Sequence, residues 1–443
     1  MPRQPVGDLI VNRVEPAFGQ PDETKGKEIM RILIAGTATY PAQNGQAVFT
    51  ENLTEGLAHH GHDVLSVFPS ETGTAYSTNR NGVRIEALRS ADLTRIHSDS
   101  YLSLFSESAI RRIFHDFQPE IVHIQDHFPV SYDVVQVARK FGMHLIGTNH
   151  FMPENIAGYV PLMSKFKPLF NWTAWTWMLG VYNRLDVATA QSKASASLMR
   201  AQGLKIPVYP VSCGIDLRRF HPNPQLNRKD VRLRYGIDPE RTVFMFVGRV
   251  DKEKRLEVLL HALKLLNRDD VQLVIAGKGS NIEQLTALAN ELELGERVHF
   301  TGFIPAEDLP AVLNSADIFT MPSEAELLSI ASLEAMASGL PVLLANAVAL
   351  PELAHDGSNG YLFRPGDPAD AARRMAQLAD HPDRWARMGA SSQEKAQFHS
   401  LGNTLRQYES LYTHLLAGTY AHLLESGINT LRSSPDWHSG NKK

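Results

Sequence analysis

Short apolar runs, separated by longer mixed stretches, recur along the first half of this chain. The first run, Arg31 to Gly36, has the continuous apolar character of a strand that is buried on both faces. Similar runs follow it at Asp63–Pro69, Glu120–Gln125, Leu145–Thr148, Asp186–Gln191 and Val208–Val211. Helical or looping stretches separate these runs, and this alternation predicts parallel βαβ units.

A second series of apolar runs begins after the polar stretch from Phe220 to Arg228. Its members are Thr242–Val247, Val271–Ala276, Val298–Phe303, Ala316–Met321, Pro341–Ala345 and Gly360–Phe363. Because the pattern repeats, the sequence predicts an α/β protein with two doubly wound, Rossmann-like domains. We place them at residues 30–215 and 225–399, joined near residues 212 to 228.

The two ends of the chain lack this alternation. Residues 1–29 are polar and punctuated by Pro, which predicts a flexible arm, and residues 426–443 form a polar tail. A helical pattern runs from about Pro368 to Glu425, and we expect the helix at residues 400–425 to pack back on the first domain.

Length and composition are those of a globular protein. At 443 residues the chain is too long for one compact core, and a content of 43% hydrophobic and 21% charged residues is ordinary for folded domains. Disorder and coiled coil are excluded as descriptions of the whole chain. A net charge of -4 gives no general field for nucleic acid, so none is expected as a partner.

The sequence also bears on the cellular compartment. The single cysteine, Cys213, forms no intramolecular disulfide and no cysteine cluster, which favours a reducing compartment and argues against a zinc module. The beginning of the chain has no apolar core of a signal peptide, and no run of about 20 apolar residues appears. We therefore expect a cytoplasmic protein, or one that lies on the inner face of the cell membrane.

Two glutamates follow the fourth strand of the second domain. Glu326 lies in the predicted loop and Glu334 in the early turns of the next helix, which ends at Gly339 and Pro341. Paired carboxylates accept the hydroxyl hydrogen bonds of a sugar or ribose, and the free amides of a helix start suit a phosphate. The alternative is that both acids only complement the positive end of the helix.

Cations follow the first strand of the second domain. Arg249 and Lys254 flank a strand-to-helix turn and could grip a diphosphate from two directions. The alternative is a solvated turn in which Asp251 and Glu253 neutralise the positive charges. For Lys252 and Arg255 we favour that alternative.

The first domain offers weaker signals. The segment from Gly36 to Gly45 has no Gly-x-Gly-x-x-Gly pattern, which disfavours a nicotinamide dehydrogenase. His123, His127 and His150 follow or end predicted strands, with Asp126 beside them. These residues could bind zinc, but we favour a neutral histidine that bonds a substrate, or one that is satisfied within the core.

A basic and aromatic segment, residues 155–185, contains no acidic residue. Lys165 and Lys167 precede Trp172, Trp175 and Trp177. Such a composition is typical of a segment that lies on an anionic bilayer. A buried helix hairpin with a few lysines that reach the surface is the open alternative.

Taken together, these motifs resemble a known family. The chain from about Met30 to Tyr412 is similar to the retaining nucleotide-sugar glycosyltransferases of glycosyltransferase family four, which have the GT-B fold. The resemblance rests on Asn44-Gly45 before a helix that ends in Gly61-His62-Asp63-Val64, on Ile121-Val122-His123, on Gly248-Arg249 with Lys254, and on the segment from Glu326 to Gly339 with its Glu-x7-Glu spacing.

The resemblance implies roles in the second domain. Glu334 matches the residue that binds the nucleotide ribose, and Glu326 the residue that binds hydroxyls of the donor sugar. Arg249 and Lys254 match the cations that hold the diphosphate and stabilise its developing charge. By the same resemblance, Phe303 and Ile304 belong to the segment that touches the base.

Further roles follow in the first domain. Asn44 and Gly45 match the loop that approaches the donor phosphates or the sugar, and His150 matches a histidine beside the donor sugar. No metal and no cofactor are expected. The donor is a nucleotide-diphosphate sugar, with a UDP-sugar favoured, and the first domain binds the acceptor.

One departure from the family pattern affects the sugar pocket. Leu327-Leu328-Ser329 follows Glu326 where many members carry Gly-Phe-Gly, so the identity of the sugar stays open, as does the oligomeric state. Asn-Gly and the basic and aromatic segment resemble the branch that glycosylates diacylglycerol. We therefore expect a hexosyltransferase that forms an α-glycoside on a membrane lipid. The alternatives are a soluble sugar or small-molecule acceptor, a GT-B epimerase, and a sugar-binding protein without catalysis.

Overall fold

The computed structural model describes residues 28–37, 45–92, 101–153 and 167–419. The predicted arm at residues 1–29 therefore lies almost wholly outside the described residues, as do the polar tail at 426–443, Asn44 and Lys165. The described residues form two parallel-stranded α/β domains, as the alternation of apolar runs predicted.

The N-terminal domain contains an eight-stranded sheet in the order β10-β9-β8-β7-β1-β2-β4-β3, in which only β3 is antiparallel. Its strands are β1 Arg31–Ala35, β2 Asp63–Pro69, β3 Tyr76–Arg80, β4 Val83–Leu88, β7 Ile121–Ile124, β8 His144–Asn149, β9 Val187–Ala190 and β10 Val208–Pro210, and a separate pair comprises β5 Ala91–Asp92 and β6 Tyr101–Leu102. Its helices are α1 Gly45–His59, α2 Glu107–Phe117, α3 Pro129–Phe141, α4 Lys167–Tyr182 and α5 Lys193–Ala201.

The C-terminal domain contains a six-stranded parallel sheet in the order β13-β12-β11-β14-β15-β16. Its strands are β11 Thr242–Val247, β12 Val271–Ala276, β13 Val298–Gly302, β14 Ile318–Met321, β15 Val342–Ala345 and β16 Gly360–Phe363. Its helices are α6 Arg228–Arg234, α7 Leu256–Leu266, α8 Ile282–Glu291, α9 Leu309–Ser315, α10 Ile330–Ala337, α11 Leu350–Leu353 and α12 Pro368–Ala379, followed by α13 Trp385–Phe398 and α14 Leu401–Leu416.

The hairpin of β3 and β4 escaped the sequence analysis. Most of β3 is exposed, and its sequence, YSTNR, has no apolar run. An edge strand of this kind gains its stability from pairing with a buried neighbour, here β4, so its own residues carry little signal.

Strand order reverses once in each sheet. In the N-terminal domain β1 lies between β2 and β7, and in the C-terminal domain β11 lies between β12 and β14. The loops that follow the two strands at such a reversal run to opposite faces of the sheet. A crevice therefore opens beyond the carboxyl ends of these strands. The loops after β1, β7, β11 and β14 are therefore the places to look for a site.

The last helix returns to the N-terminal domain. The backbone of Ile215 pairs with the chain just before α14, since its N–H donates to His399 O at 2.8 Å and its carbonyl accepts from Leu401 N at 2.9 Å. Gly214 adopts a φ of +76° there, and an added Cβ would lie 3.0 Å from Leu401 Cα. A side chain at position 214 would thus push the segment around Ile215 away from the start of α14.

Two tyrosines of α14 enter the N-terminal domain below its cleft. Tyr408 OH lies 3.0 Å from Thr148 Oγ1 and 3.1 Å from Thr189 Oγ1. Tyr412 OH lies 2.8 Å from His123 Nδ1. Burial lowers the pKa of His123 to about 3, so the imidazole is neutral and acts as a satisfied core group.

We expect Tyr408→Ala to lower the free energy of unfolding by about 3 to 5 kcal/mol, because it empties a fully buried aromatic site. Tyr408→Phe keeps the ring and should cost only about 1 kcal/mol for the lost hydroxyl contacts. Urea unfolding measures both changes. Thr413→Ala, at an exposed position of the same helix, is the control, and a Tyr408→Ala effect no larger than the control would contradict this packing.

Candidate active site

The turn after β11 carries a cluster of charges. Arg249 lies 3.1 Å from Asp251 and 3.0 Å from Glu253. Asp251 is held in turn by Ser280, whose N–H and hydroxyl donate to Oδ1 at 2.9 and 2.8 Å. Arg249 is therefore oriented by two carboxylates, as the solvated-turn alternative proposed, but it remains half-exposed to the cleft.

Glycines let the next loop lie directly on this turn. An added Cβ at Gly277 would come within 1.8 Å of Gly248 O, and one at Gly279 within 2.3 Å of Val250 O. The N–H of Val250 donates to Lys278 O at 2.9 Å. The Gly277-Lys278-Gly279 sequence is thus required for the close approach of two backbones.

A partly buried ion pair joins the loops on either side of the C-terminal strand reversal. Lys254 Nζ lies 2.7 Å from Glu326 Oε1, with side-chain exposures of 17% and 12%. Burial, the largest single influence, opposes the charged amine, but Glu326 and Glu253 together raise the pKa of Lys254 above its usual value. Lys254 is therefore a fixed cation at the base of the cleft, and Glu326 is its partner.

Glu334 lies in a different environment. Ser329 caps α10, since its side chain accepts from Ser332 N, so neither glutamate caps the helix. Burial raises the pKa of Glu334 to about 7, and Arg219 opposes this shift. The carboxyl group is therefore close to half-protonated at neutral pH, a state that the sequence did not predict.

The residues predicted to touch a base lie at the end of β13. Phe303 is 63% exposed, and Lys278 Nζ lies 5.6 Å from the centre of its ring. Ile304 is buried. The ring of Phe303 and the amine of Lys278 are therefore available to a ligand, whereas Ile304 is not. The sequence analysis did not identify Lys278.

The two leucines after Glu326 point away from each other. Leu328 belongs to the large core that includes the C-terminal sheet, whereas Leu327 packs with the core of the N-terminal domain. Both are buried. The loop that carries Glu326 thus contacts both domains.

In the N-terminal domain, Asp126 ties together the loops after β1 and β7. Its Oδ2 accepts from Thr37 N at 2.6 Å, from Thr37 Oγ1 at 2.8 Å and from Gln46 Nε2 at 3.0 Å. Its Oδ1 accepts from Phe128 N at 3.0 Å and from Ser131 Oγ at 2.7 Å. The sequence analysis weighed Asp126 only as a metal ligand, although its place after a strand end was a signal for this role.

His150 is held by two glutamines. Its Nδ1 accepts from the Gln191 amide, so Nε2 carries the proton and donates to Gln125 Oε1 at 3.0 Å. Burial lowers the pKa of His150 to about 3. The ring is therefore a neutral, oriented group at the end of β8, and it packs 4.7 Å from Phe49.

Three buried polar atoms near His150 have no partner among the described residues. They are Gln125 Nε2, His127 Nδ1 and Asn149 Nδ2, all in side chains at most 3% exposed. Buried polar groups are nearly always hydrogen-bonded, so a cluster of unpaired ones at strand ends indicates a ligand site. Sequence analysis had identified only His127 among them.

Gly45 begins α1 and faces the other domain. An added Cβ at Gly45 would lie 3.6 Å from Ile330 Cδ1, at the start of α10. The two helix starts therefore meet across the cleft. Asn44, which precedes Gly45, lies outside the described residues.

The tryptophans of α4 divide into two groups. Trp172 and Trp177 are 64% and 53% exposed, whereas Trp175 is 4% exposed and packs in the N-terminal core. Assigning Trp175 to a surface was wrong: it lies on the face of α4 opposite Trp177 and enters the core, although Trp172, three residues before it, is exposed. Lys167 begins the helix. No described helix is long and apolar enough to cross a bilayer.

In the described part of the chain, no three His, Cys, Asp or Glu side chains are grouped as metal ligands. The nitrogens of His123 are bonded to Tyr412 and Thr148, and both oxygens of Asp126 accept several hydrogen bonds. The expectation that no metal takes part stays a prediction.

Two family models match the chain. The model described as Glycosyltransferase Family 4 matches residues 43–219, and the one described as Glycosyl transferases group 1 matches residues 227–395. The two matches correspond to the two domains and to the two halves of the cleft.

Several curated proteins are similar to the chain. Sulfoquinovosyl transferase SQD2 of Arabidopsis thaliana is 26% identical over 63% of this chain and 54% of its own length. A GDP-mannose-dependent alpha-(1-6)-phosphatidylinositol monomannoside mannosyltransferase of Mycolicibacterium smegmatis is 34% identical over 48% of this chain and 58% of its own. A D-inositol 3-phosphate glycosyltransferase of Frankia alni is 26% identical over 84% and 95%. This chain thus spans about half the length of the first two of these relatives.

Solved structures share the fold. Sucrose-phosphate synthase from Thermosynechococcus elongatus has a TM-score of 0.73 at 20% identity, with 87% of this chain and 99% of that chain covered. HepE of Anabaena, solved in complex with UDP, has a TM-score of 0.70 at 17% identity over 87% and 100%. The predicted GT-B fold is confirmed.

Proposed function

Because the chain belongs to glycosyltransferase family 4 and has the GT-B fold, we propose that it transfers a hexose from a nucleotide-diphosphate sugar to an acceptor hydroxyl with retention of the anomeric configuration. The observation that carries this proposal is the Lys254–Glu326 ion pair, at 2.7 Å, at the strand reversal of the C-terminal domain. It combines a fixed cation for a leaving diphosphate with a carboxylate for sugar hydroxyls.

The donor lies along the carboxyl ends of β11 to β14. The exposed ring of Phe303 and the amine of Lys278 border the nucleobase, and Glu334 accepts the ribose hydroxyls. The diphosphate lies between Arg249 and Lys254. A UDP-sugar is favoured, because HepE is described with UDP and with UDP-glucose.

Catalysis depends on the charge that develops on the leaving diphosphate. Arg249 and Lys254 stabilise it in the transition state, where it is largest, so they contribute to kcat more than to ground-state binding. Neutral His150 has one ring proton, on Nε2, and its hydrogen bonds to Gln125 and Gln191 fix this tautomer. The ring therefore packs against the sugar without adding a further positive charge to those of Arg249 and Lys254.

The acceptor binds in the N-terminal domain beside the donor sugar. Three unpaired nitrogens can bond a hydroxyl-rich group that enters from the cleft. They are the amide nitrogens of Gln125 and Asn149 and Nδ1 of His127. A glycerol or polyol headgroup offers that chemistry. The exposed Trp172 and Trp177 on α4 favour a lipid that bears such a headgroup, and the mycobacterial relative is named for a phosphatidylinositol monomannoside acceptor.

A soluble polyol phosphate is the second candidate acceptor. The relative from Frankia alni, matched over 95% of its length, is named a D-inositol 3-phosphate glycosyltransferase. The same buried amides would bond the ring hydroxyls of such an acceptor.

Incubation of the protein with UDP-, GDP- and ADP-sugars, with and without a lipid extract or polyols, tests the function directly. We expect nucleotide diphosphate release that depends on the acceptor, and an α-linked product by NMR. Product only with lipid supports the first acceptor class, and product only with polyols supports the second. Nucleotide diphosphate release that never depends on an acceptor would contradict the transferase proposal.

We expect Lys254→Ala to lower kcat by about 10²-fold or more with a smaller change in KM, since it removes a charge that acts on the leaving group. The exposed Lys252→Ala in the same turn is the matched control and should stay within about twofold of the parent. Steady-state kinetics with the preferred donor measures both. Parental kcat in Lys254→Ala would assign that lysine to a structural role.

Binding of the nucleotide diphosphate should strengthen as the pH rises through about 7. Burial raises the pKa of Glu334 to about 7 in the free protein, and ribose hydroxyls donate stronger hydrogen bonds to its ionised form than to its protonated form. Binding therefore lowers this pKa and releases protons near neutral pH. Calorimetry in buffers of different ionisation enthalpy measures the release. Glu334→Gln should abolish it, and an unchanged proton release in that variant would exclude the ribose role.

We expect the protein to bind anionic vesicles better than neutral ones, and less strongly at high salt. Trp172→Ala with Trp177→Ala should reduce sedimentation with anionic vesicles, because both rings are exposed on α4. Phe398→Ala, an exposed aromatic change on α13, is the control. Equal sedimentation of the double variant and the parent would favour the soluble acceptor.

A further inference from the structure

A carboxylate of the C-terminal domain binds a helix of the N-terminal domain across the cleft. Glu352, on α11, accepts from Ala194 N at 2.7 Å through Oε1 and from Lys193 N at 3.1 Å through Oε2. Lys193 and Ala194 are the first two residues of α5. One side chain therefore bonds two backbone donors that belong to the opposite domain.

The start of α5 is arranged to accept this carboxylate. Ser192, its N-cap, accepts from Ser195 N at 3.0 Å, which satisfies the third residue of the helix. The first two N–H groups have no partner within a helix and are left for Glu352. A negative charge at this end is also favoured by the helix dipole. Domain separation would expose both donors and the carboxylate to water.

The segment before α11 connects this contact to the loop of Glu326. Ala349 N donates to Glu326 O at 3.3 Å. Beside it, Val348 has a φ of +46°, which is rare for a β-branched residue and costs conformational energy. Ala349, three residues before Glu352, thus bonds the backbone of the glutamate that we assign to the donor sugar, and the strained Val348 lies on the other side of that bond.

We propose that Glu352 is an interdomain latch: its bidentate contact with α5 holds the cleft closed and, through the hydrogen bond of Ala349 to Glu326, keeps the Glu326 loop in position. Glu352 is a positioning residue and touches no reacting atom. The latch itself does not depend on the identity of the substrate. Its effect on turnover rests on the proposed transferase function.

The first test measures closure without any substrate. Small-angle scattering of Glu352→Ala should show a larger radius of gyration than the parent, from about a tenfold lower ratio of closed to open molecules. Glu352→Gln, which keeps one acceptor oxygen but no charge, should lie between them. Glu291→Ala, an exposed acid on α8, is the control and should match the parent. A radius of gyration in Glu352→Ala equal to that of the parent would contradict the latch.

A second variant removes a donor from the other side of the contact. Lys193→Pro deletes the N–H at the first position of α5, where Pro suits a helix, and Ser192 already has the extended backbone that must precede Pro, with φ -149° and ψ 167°. Lys193→Ala controls for the lost side chain. In a double-mutant cycle, Lys193→Pro should add little to Glu352→Ala. Full additivity would show that the two groups do not act together.

The kinetic test separates the latch from the proposed function. If the chain is a transferase, Glu352→Ala should lower kcat/KM by about tenfold, as a smaller closed fraction reduces apparent affinity, and a saturating nucleotide diphosphate should restore the parental radius. An open Glu352→Ala that turns over at the parental rate would overturn the link to Glu326. A parent without transferase activity, but with the scattering change, would contradict the function and leave the latch standing.

Discussion

Parallel strands that end at a common edge, with one reversal of strand order in each sheet, are the constraint on which this structure depends. The reversal beside β1 and the reversal beside β11 each open a crevice, and the helix starts at Gly45 and Ile330 bring the two domains together beside them. The charged and polar groups assigned to the site lie at or soon after the carboxyl ends of strands, in loops or, like Glu334, in the helix that follows. Loops there can vary in chemistry because the strands below are buried on both faces and do not need them for stability.

The C-terminal crevice is organised by charge compensation. A buried lysine is unfavourable unless a carboxylate accompanies it, and Glu326 and Glu253 lie 2.7 and 3.6 Å from Lys254. Arg249 is held in the same way by Asp251 and Glu253. In the reaction that we propose, these acids orient the cations before a diphosphate binds, so little reorganisation is needed when charge develops on the leaving group.

Across the cleft the contacts are of another kind. The N-terminal crevice has neutral amides and imidazoles around a fully bonded Asp126, and such groups can bond the hydroxyls of the acceptors that we propose. Leu327 packs against this domain, and Glu352 caps α5 from the opposite domain. Closure of the cleft and the position of the Glu326 loop are thus properties of one connected set of contacts, and α14 holds the two domains together behind it.

The sequence by itself determined the two doubly wound domains, since continuous apolar runs at strand length report burial directly. It also placed Arg249, Lys254, Glu326 and Glu334 at the right strand ends, because the order of elements decides which loops reach the edge of a sheet. Only the tertiary structure decided their partners: Lys254 and Glu326 are 72 residues apart, and Ala194 and Glu352 are 158 apart. It also decided that Trp175 is buried beside two exposed tryptophans and that the Glu334 carboxyl titrates near 7. Local pattern encodes which residues are apolar and where chains turn, whereas pairing, burial of charge and contact between domains arise from packing between segments far apart in the chain.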